Sequence, residues 1–241
     1  MKRRMLAVAV AGFLVCGCRA IWAADAGDPV FPVDLNNQAR AEIVYENLQR
    51  DFEMTSGPLD GKDTLKADVF LLRVHTDVGQ YAYLDFDAGA MDPSGGDFRF
   101  YGGVGLRYLA YDSKAWRLSA FAQGHYVPGA ETEFNGDGNT KAKLDFNLVE
   151  ADAGVLATVK IPAGNQLTIL PYIGPMLSIL RLSGDAKDEA TGAKDDFHAN
   201  EDSIFGGVLG VSLLLPGNHT IRLEGRYTDA FSVSAAAGIA F

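Results

Sequence analysis

The chain has 241 residues, with 21 Lys or Arg against 31 Asp or Glu, so its net charge is −10. Losing a signal segment with four basic residues would leave 17 against 31, a net charge of −14. So acidic a chain excludes nucleic acid as a partner, and it disfavours binding driven by attraction to anionic lipid surfaces.

The first 23 residues have the layout of a secretory signal peptide. Basic residues at positions 2–4 precede the apolar run Met5 to Val15, which is too short to span a membrane as a helix. We expect cleavage after Ala23. The alternative is a lipobox ending at Cys18, which would then be acylated and become the first residue. The chain has two cysteines, both in this region, so the mature fold is expected to lack disulfides.

Residues 24–39 contain Pro and Asn and are predicted to form a periplasmic lead-in without regular structure. Ten strand-like runs follow. The first run is ambiguous, because Val44, Leu48 and Phe52 are spaced by four and would also suit a helix. We interpret it as a strand, since a bacterial single-chain barrel needs an even number of strands. The predicted strands cover residues 41–52, 67–76, 80–89, 98–108, 116–126, 144–159, 166–182, 204–215, 220–227 and 232–241.

Most of these runs alternate apolar and polar residues, as in Ile221, Leu223 and Tyr227 against intervening charged residues. The seventh run carries Pro171 and Pro175, which predict a bulge or a local break. Connection lengths decide which face is outside. Short turns alternate with longer loops rich in Gly, Asp and Lys, as expected of periplasmic turns and extracellular loops. The apolar faces are therefore predicted to point outward to lipid.

The final run, Ser232 to Phe241, ends the chain on an aromatic residue of an alternating apolar face. Phe241, Ile239 and Val233 on that face resemble the terminal strand that the barrel assembly machinery reads. Together with the strand pattern and loop asymmetry, this resembles small bacterial outer-membrane β-barrels, such as the transmembrane domain of outer-membrane protein A and the opacity proteins. The resemblance covers about residues 40–241. It implies an all-β, closed antiparallel transmembrane barrel of about ten strands, with eight possible, in contact with outer-membrane lipid.

The inward face of the predicted barrel is rich in charge. Because buried charges must be paired, we expect a hydrogen-bonded network that fills the lumen. The alternative is a narrow, porin-like passive channel. The predicted lumen network consists of Arg73, Asp85, Asp87, Arg99, Arg107, Arg117, Glu150, Asp152, Arg222, Glu224 and Arg226.

No catalytic, cofactor-binding or metal-binding motif is evident. His198 near Asp195 and Asp196 could form an acid–base pair in the longest loop, and small outer-membrane barrels include enzymes that act on lipid A or peptides. A solvated acidic loop explains the same residues. The sequence therefore predicts a monomeric, non-enzymatic, multi-pass protein of the cell outer membrane, with acidic loops for envelope or surface contacts.

Overall fold

A computed structural model describes residues 30–35, 38–56, 61–94, 96–135, 141–164, 166–188, 192, 194–201 and 203–241. The predicted signal peptide, residues 1–23, and the alternative lipidation site, Cys18, lie outside these ranges. Within them the chain forms one twelve-stranded antiparallel sheet, preceded by a 3₁₀ turn at Pro32–Leu35. In this described part of the chain, no helix has the length and apolar character needed to cross a membrane.

The strands follow the alternating runs of the sequence, and several extend beyond them. They are β1 (Arg40–Ser56), β2 (Lys62–Asp77), β3 (Ala82–Pro93), β4 (Arg99–Asp112), β5 (Trp116–Asn135), β6 (Lys141–Val159), β7 (Ile161–Pro162), β8 (Thr168–Asp188), β9 (Lys194–Glu201), β10 (Phe205–Leu215), β11 (His219–Tyr227) and β12 (Phe231–Ala240).

Ten of the strands described form a closed ring. Each pairs antiparallel with its neighbour in the order β1, β2, β3, β4, β5, β6, β8, β10, β11, β12, and β12 pairs back to β1. Ala41 lies opposite Ile239 and Asn47 opposite Val233 at this closure. A closed ring leaves no unpaired edge, as a sheet in lipid requires. The predicted all-β barrel is thus confirmed, with two further short strands, β7 and β9, beside the ring.

The ambiguous first run is a strand. Val44, Leu48 and Phe52 all point inward and are buried. A spacing of four is even, so it keeps residues on one face of a strand as well as on one face of a helix. This is why the sequence pattern alone was ambiguous there.

Two of the predicted long loops are largely strand. β5 continues to Asn135 and β6 begins at Lys141, so the described parts of residues 127–143 form a hairpin. β8 likewise extends into the expected loop, and β9 returns antiparallel between β8 and β1. These segments keep alternating, with Phe134 and Phe197 buried inside. The result is an extension on the long-loop side of the ring, made of the outer ends of β1, β2, β5, β6 and β8 together with β9.

The predicted disturbance in the seventh run is local. Pro171 and Pro175 both lie within β8. The ladder between β6 and β8 is interrupted between the pairs Gly154–Met176 and Ala157–Ile173, and the register is the same on both sides. Proline has no N–H to donate, so β8 loses bonds there without shifting.

The outer face of the ring is apolar, as predicted. Ile43 is 71% exposed and Phe205 is 70% exposed. In the predicted assembly signal, Val233, Ile239 and Phe241 all lie on this outer face, and the Phe241 amide donates to the Ala39 carbonyl at 2.9 Å. Aromatic side chains flank the apolar band at both ends, as at membrane interfaces. They are Tyr81, Tyr108, Tyr111 and Trp116 on the side of the short turns, and Phe98, Phe100, Tyr126, Tyr227 and Phe231 on the other.

Candidate functional site: a filled lumen

The charged residues inside the barrel pair across strands. Near the short-turn side, Glu42 accepts from Arg222 at 3.0 Å and lies 3.2 Å from the His75 ring. The other ring nitrogen of His75 lies 2.7 Å from Asp85. Asp85 in turn accepts from Arg107 Nε at 2.5 Å. One imidazole thus joins two carboxylates, each of which also contacts a guanidinium.

A second group lies farther from the short-turn side of the lumen. Arg73 makes two hydrogen bonds to Asp87, at 2.7 and 2.6 Å. The His125 ring contacts the same carboxylate at 2.8 Å and lies 3.9 Å from Glu150. The fork geometry of Arg73 matches a carboxylate well, and such paired bonds are the strong ones.

The third group contains two arginines between carboxylates. Arg226 donates to Asp152 and to Glu150, each at 2.8 Å, and Arg50 also pairs with Glu150. Gln123 links this group to the first: its amide accepts from Arg107 at 2.8 Å and donates to Asp152 at 3.1 Å. The three groups therefore form one connected network across the lumen.

Eight of the eleven predicted network residues take part in the contacts described above, and the other three make the contacts that follow. Arg99 lies at the long-loop end, where it contacts Glu131 at 3.0 Å and the Gly129 carbonyl. Arg117 lies in the opposite mouth. Glu224 is in the lumen and accepts a hydrogen bond from Tyr172. The network consists of Arg73, Asp85, Asp87, Arg107, Glu150, Asp152, Arg222 and Arg226 from the predicted set, joined by others that the sequence did not single out.

The sequence did not single out Arg40, Glu42 and Arg50 as lumen residues. All three lie on β1, whose apolar spacing also suited a helix, so its inward face could not be assigned. Glu201 was missed because its segment read as a loop. A repeated test for period two across residues 40–56 and 194–201 would have placed all four inside.

Residues 30–35 close the short-turn mouth. Val30, Phe31 and Leu35 are buried against the barrel wall. Arg117 donates to Asp34 at 2.6 and 3.0 Å, and its guanidinium lies 5.3 Å above the Phe31 ring. Arg40 donates to the Val30 carbonyl at 3.1 Å. The predicted lead-in was expected to be irregular, but its described part includes the 3₁₀ turn. Buried apolar side chains and the Arg117 pair hold it in place.

The extension on the long-loop side has an apolar interior beyond the network. Phe52 and Phe134 face each other with ring centroids 6.3 Å apart, and both are fully buried. The described side chains of this layer leave it closed to solvent. It is lined by Met54, Leu65, Leu144, Phe146, Leu148, Leu180, Leu182, Phe197 and Ala199.

Glu201 joins the extension to the lumen. It ends β9, a strand outside the membrane-spanning ring, and its carboxylate lies 2.6 Å from Arg50. Burial raises the pKa of Glu201 to about 7, against the opposing charge of Arg50 and with help from Glu150 and Asp229.

The candidate acid–base pair does not form in the described structure. His198 and Asp196 lie on the outer, exposed face of β9. The His198 ring contacts the neighbouring Phe197 carbonyl at 2.6 Å, while Asp195 accepts from the Asp196 amide at 2.9 Å. No hydrogen bond joins His198 to either carboxylate among the described contacts.

Comparison with known proteins gives the fold. No family model matches the chain, and no curated protein matches it. Among solved structures, the outer membrane protease OmpT from Escherichia coli is similar with a TM-score of 0.50 and 8% identity, over 85% of this chain and 97% of that one. The β domain of the Bordetella autotransporter BrkA has a TM-score of 0.40 and 12% identity, over 85% and 98%. The chain thus has the fold of bacterial outer-membrane β-barrels, and at these identities the likeness extends no further.

Proposed function

We propose that this protein is a non-enzymatic, non-conducting barrel of the outer membrane that holds a rigid extension at the cell surface for envelope or surface contacts. The observation that carries the proposal is the filling of the lumen. Ion pairs occupy its middle, the segment at residues 30–35 occupies one mouth, and apolar side chains occupy the other.

A solute pathway needs polar, hydrated walls along its whole length. The apolar layer around Phe52 and Phe134 presents fully buried side chains instead. Below it, charges of opposite sign pair across the lumen: Arg226 contacts both Glu150 and Asp152. Moving a solute through would require breaking buried ion pairs, which is costly in a low-dielectric interior.

The extension supports a role in contacts because the continuation of strands makes it stiff. Its outer face carries both signs of charge in cross-strand rows. Asp185 lies opposite Asp196, and Lys187 lies opposite Lys194. Like charges directly opposite each other repel and destabilise the sheet. A partner with complementary charges would offset the repulsion in both rows.

The likeness to a protease does not favour proteolysis in this chain. The likeness to OmpT, at 8% identity, is one of fold. The described histidines either lie within the lumen network, as His75 and His125 do, or lie on outer faces, as His198 does. A hydrolytic site would need a base within hydrogen-bond reach of a substrate in an accessible cleft.

Single-cysteine variants test the location and orientation. Lys187→Cys places a thiol on the extracellular extension, and Lys114→Cys places one on an exposed short turn. In intact cells, a membrane-impermeant maleimide should label the first and spare the second until the outer membrane is permeabilised. Equal labelling of both variants in intact cells, or labelling of Lys114→Cys alone, would contradict the proposal.

A further inference from the structure

The outer face of the barrel contains a pit in its apolar band. A cavity of about 640 Å³ opens to the outside across β8, β10, β11 and β12. Its floor is formed by Gly207, Pro175 and Gly225 on neighbouring strands: Gly207 lies between Pro175 of β8 and Tyr227 of β11, and Gly225 lies opposite Leu209.

Large apolar side chains stand around this floor. Leu209 is 63% exposed, Ile173 is 60% exposed and Tyr227 is 57% exposed. Phe231 closes a further side, and its ring lies above Gly225. The pit is therefore an open, apolar depression on the outer face of the barrel.

Glycine at position 207 has no explanation within the barrel. Its φ is not among the positive values that demand glycine. A Cβ atom there would meet only the Gly174 carbonyl oxygen, at an ordinary contact distance of 3.6 Å. A larger side chain at position 207 would therefore fit against the barrel and project into the pit.

The position of the pit identifies what can fill it. It lies in the lipid-facing band, close to the extracellular aromatic residues Tyr227 and Phe231. Within a bilayer, acyl chains are the surrounding medium, and an unfilled depression forfeits dispersion contacts for every atom that lines it. A flexible chain can follow the floor between the large side chains.

A cation stands above the pit on the same strand face. Arg181 lies on the outer face of β8, about 20 Å beyond Pro175 of the pit at strand rise. It is exposed and makes no ion pair with any other described residue. A guanidinium there suits a phosphate at headgroup depth. This attraction is local, so it is compatible with the chain's overall negative charge.

We propose that the pit binds one acyl chain of lipopolysaccharide, the phosphorylated glycolipid of the outer leaflet, with a lipid A phosphate at Arg181. This inference rests on the proposed location of the barrel in the outer membrane. The site specifies the acyl chain by shape and the headgroup by one charge.

Two glycine substitutions provide a matched test. Gly207→Leu fills the pit. Gly124→Leu is the control, because Gly124 also lies on the outer face and its Cβ would also meet one backbone oxygen at 3.6 Å. Full-length mature protein in detergent micelles is titrated with purified hexa-acylated lipid A, or with phosphatidylglycerol, and bound lipid is counted by native mass spectrometry.

We expect one lipid A per wild-type barrel, about tenfold weaker binding to Gly207→Leu and to Arg181→Gln, and binding to Gly124→Leu within about twofold of wild type. Equal lipid A binding by all variants would overturn the site. Phosphatidylglycerol bound as tightly as lipid A would overturn the choice of lipid. A protein dimer lost only in Gly207→Leu would replace lipid with a second copy.

The gel shift between unheated and boiled samples shows that each variant is folded. Cell fractionation of the wild type separates the two proposals. Folded wild type outside the outer membrane would overturn the proposed location, whereas wild type in the outer membrane without pit-dependent lipid A would overturn the site alone.

Discussion

Arg107 offers a direct test of the lumen network. Its side chain is buried, donates to Asp85 at 2.5 Å and to Gln123 at 2.8 Å, and lies 5.2 Å over the Phe121 ring. Arg107→Met keeps most of the stem volume and removes the charge. Asp85 then keeps its contact with the His75 ring and loses its contact with a guanidinium.

Breaking a buried pair by removing one partner typically costs about 3–5 kcal/mol. We expect Arg107→Met to lower the free energy of unfolding by an amount in that range. The double variant Arg107→Met with Asp85→Asn should recover part of the loss, because no unpaired carboxylate remains. Lys187→Ala, which changes an exposed charge of the extension, should leave the free energy of unfolding nearly unchanged.

Urea unfolding in liposomes measures these differences, with intrinsic fluorescence and the heat-dependent gel shift as two independent signals. A loss below about 1 kcal/mol for Arg107→Met would mean that the pair is hydrated, since wet pairs contribute little. That result would refute the network as a filling of the lumen. If the two substitutions changed the free energy of unfolding additively in the double variant, the coupling between Arg107 and Asp85 would be refuted as well.

Two further outcomes follow from the same structure. The pKa of Glu201 is about 7 in the folded protein against an ordinary 4.5, so its contribution to stability is full below pH 4.5 and falls as pH rises through 7. Glu201→Gln should flatten that fall in urea midpoints measured from pH 5 to 8, and an unchanged slope would contradict it. Phe241→Ala should reduce assembled, heat-modifiable barrel far more than Phe205→Ala, although the two aromatic rings are 68% and 70% exposed. Equal amounts of the two variants would remove Phe241 from the assembly signal.

The strands of the ring could be predicted from the sequence because most of their residues alternate strictly between lipid and lumen. Ile221, Leu223 and Tyr227 face outward and Arg222 and Arg226 face inward, as expected. Alternation says nothing about how far a strand continues above the membrane. The outer faces of β5, β6 and β9 are charged there and the sequence resembles a loop, so the extension was missed.

The identities of many lumen residues could be predicted, but their partners could not. Arg117 was expected to join the lumen network, and its partner Asp34 lies in the segment that closes the mouth. Which inward residue meets which depends on strand tilt and register, and these are set by the whole ring rather than by any one strand. Phe197, which the sequence placed in a loop, is buried because β9 pairs with β8 and β1 and directs this side chain inward.

Ion conductance through the purified barrel in a planar bilayer tests most directly whether the lumen is filled. The gel shift shows that the protein is folded, and protection from protease shows that it has inserted. The current is then recorded in 1 M potassium chloride at several voltages. A filled lumen predicts no steady conductance above the empty bilayer at any voltage. Reproducible single-channel steps in the wild type would contradict the account, and a change in their ion selectivity in Arg107→Met would place the current in the lumen.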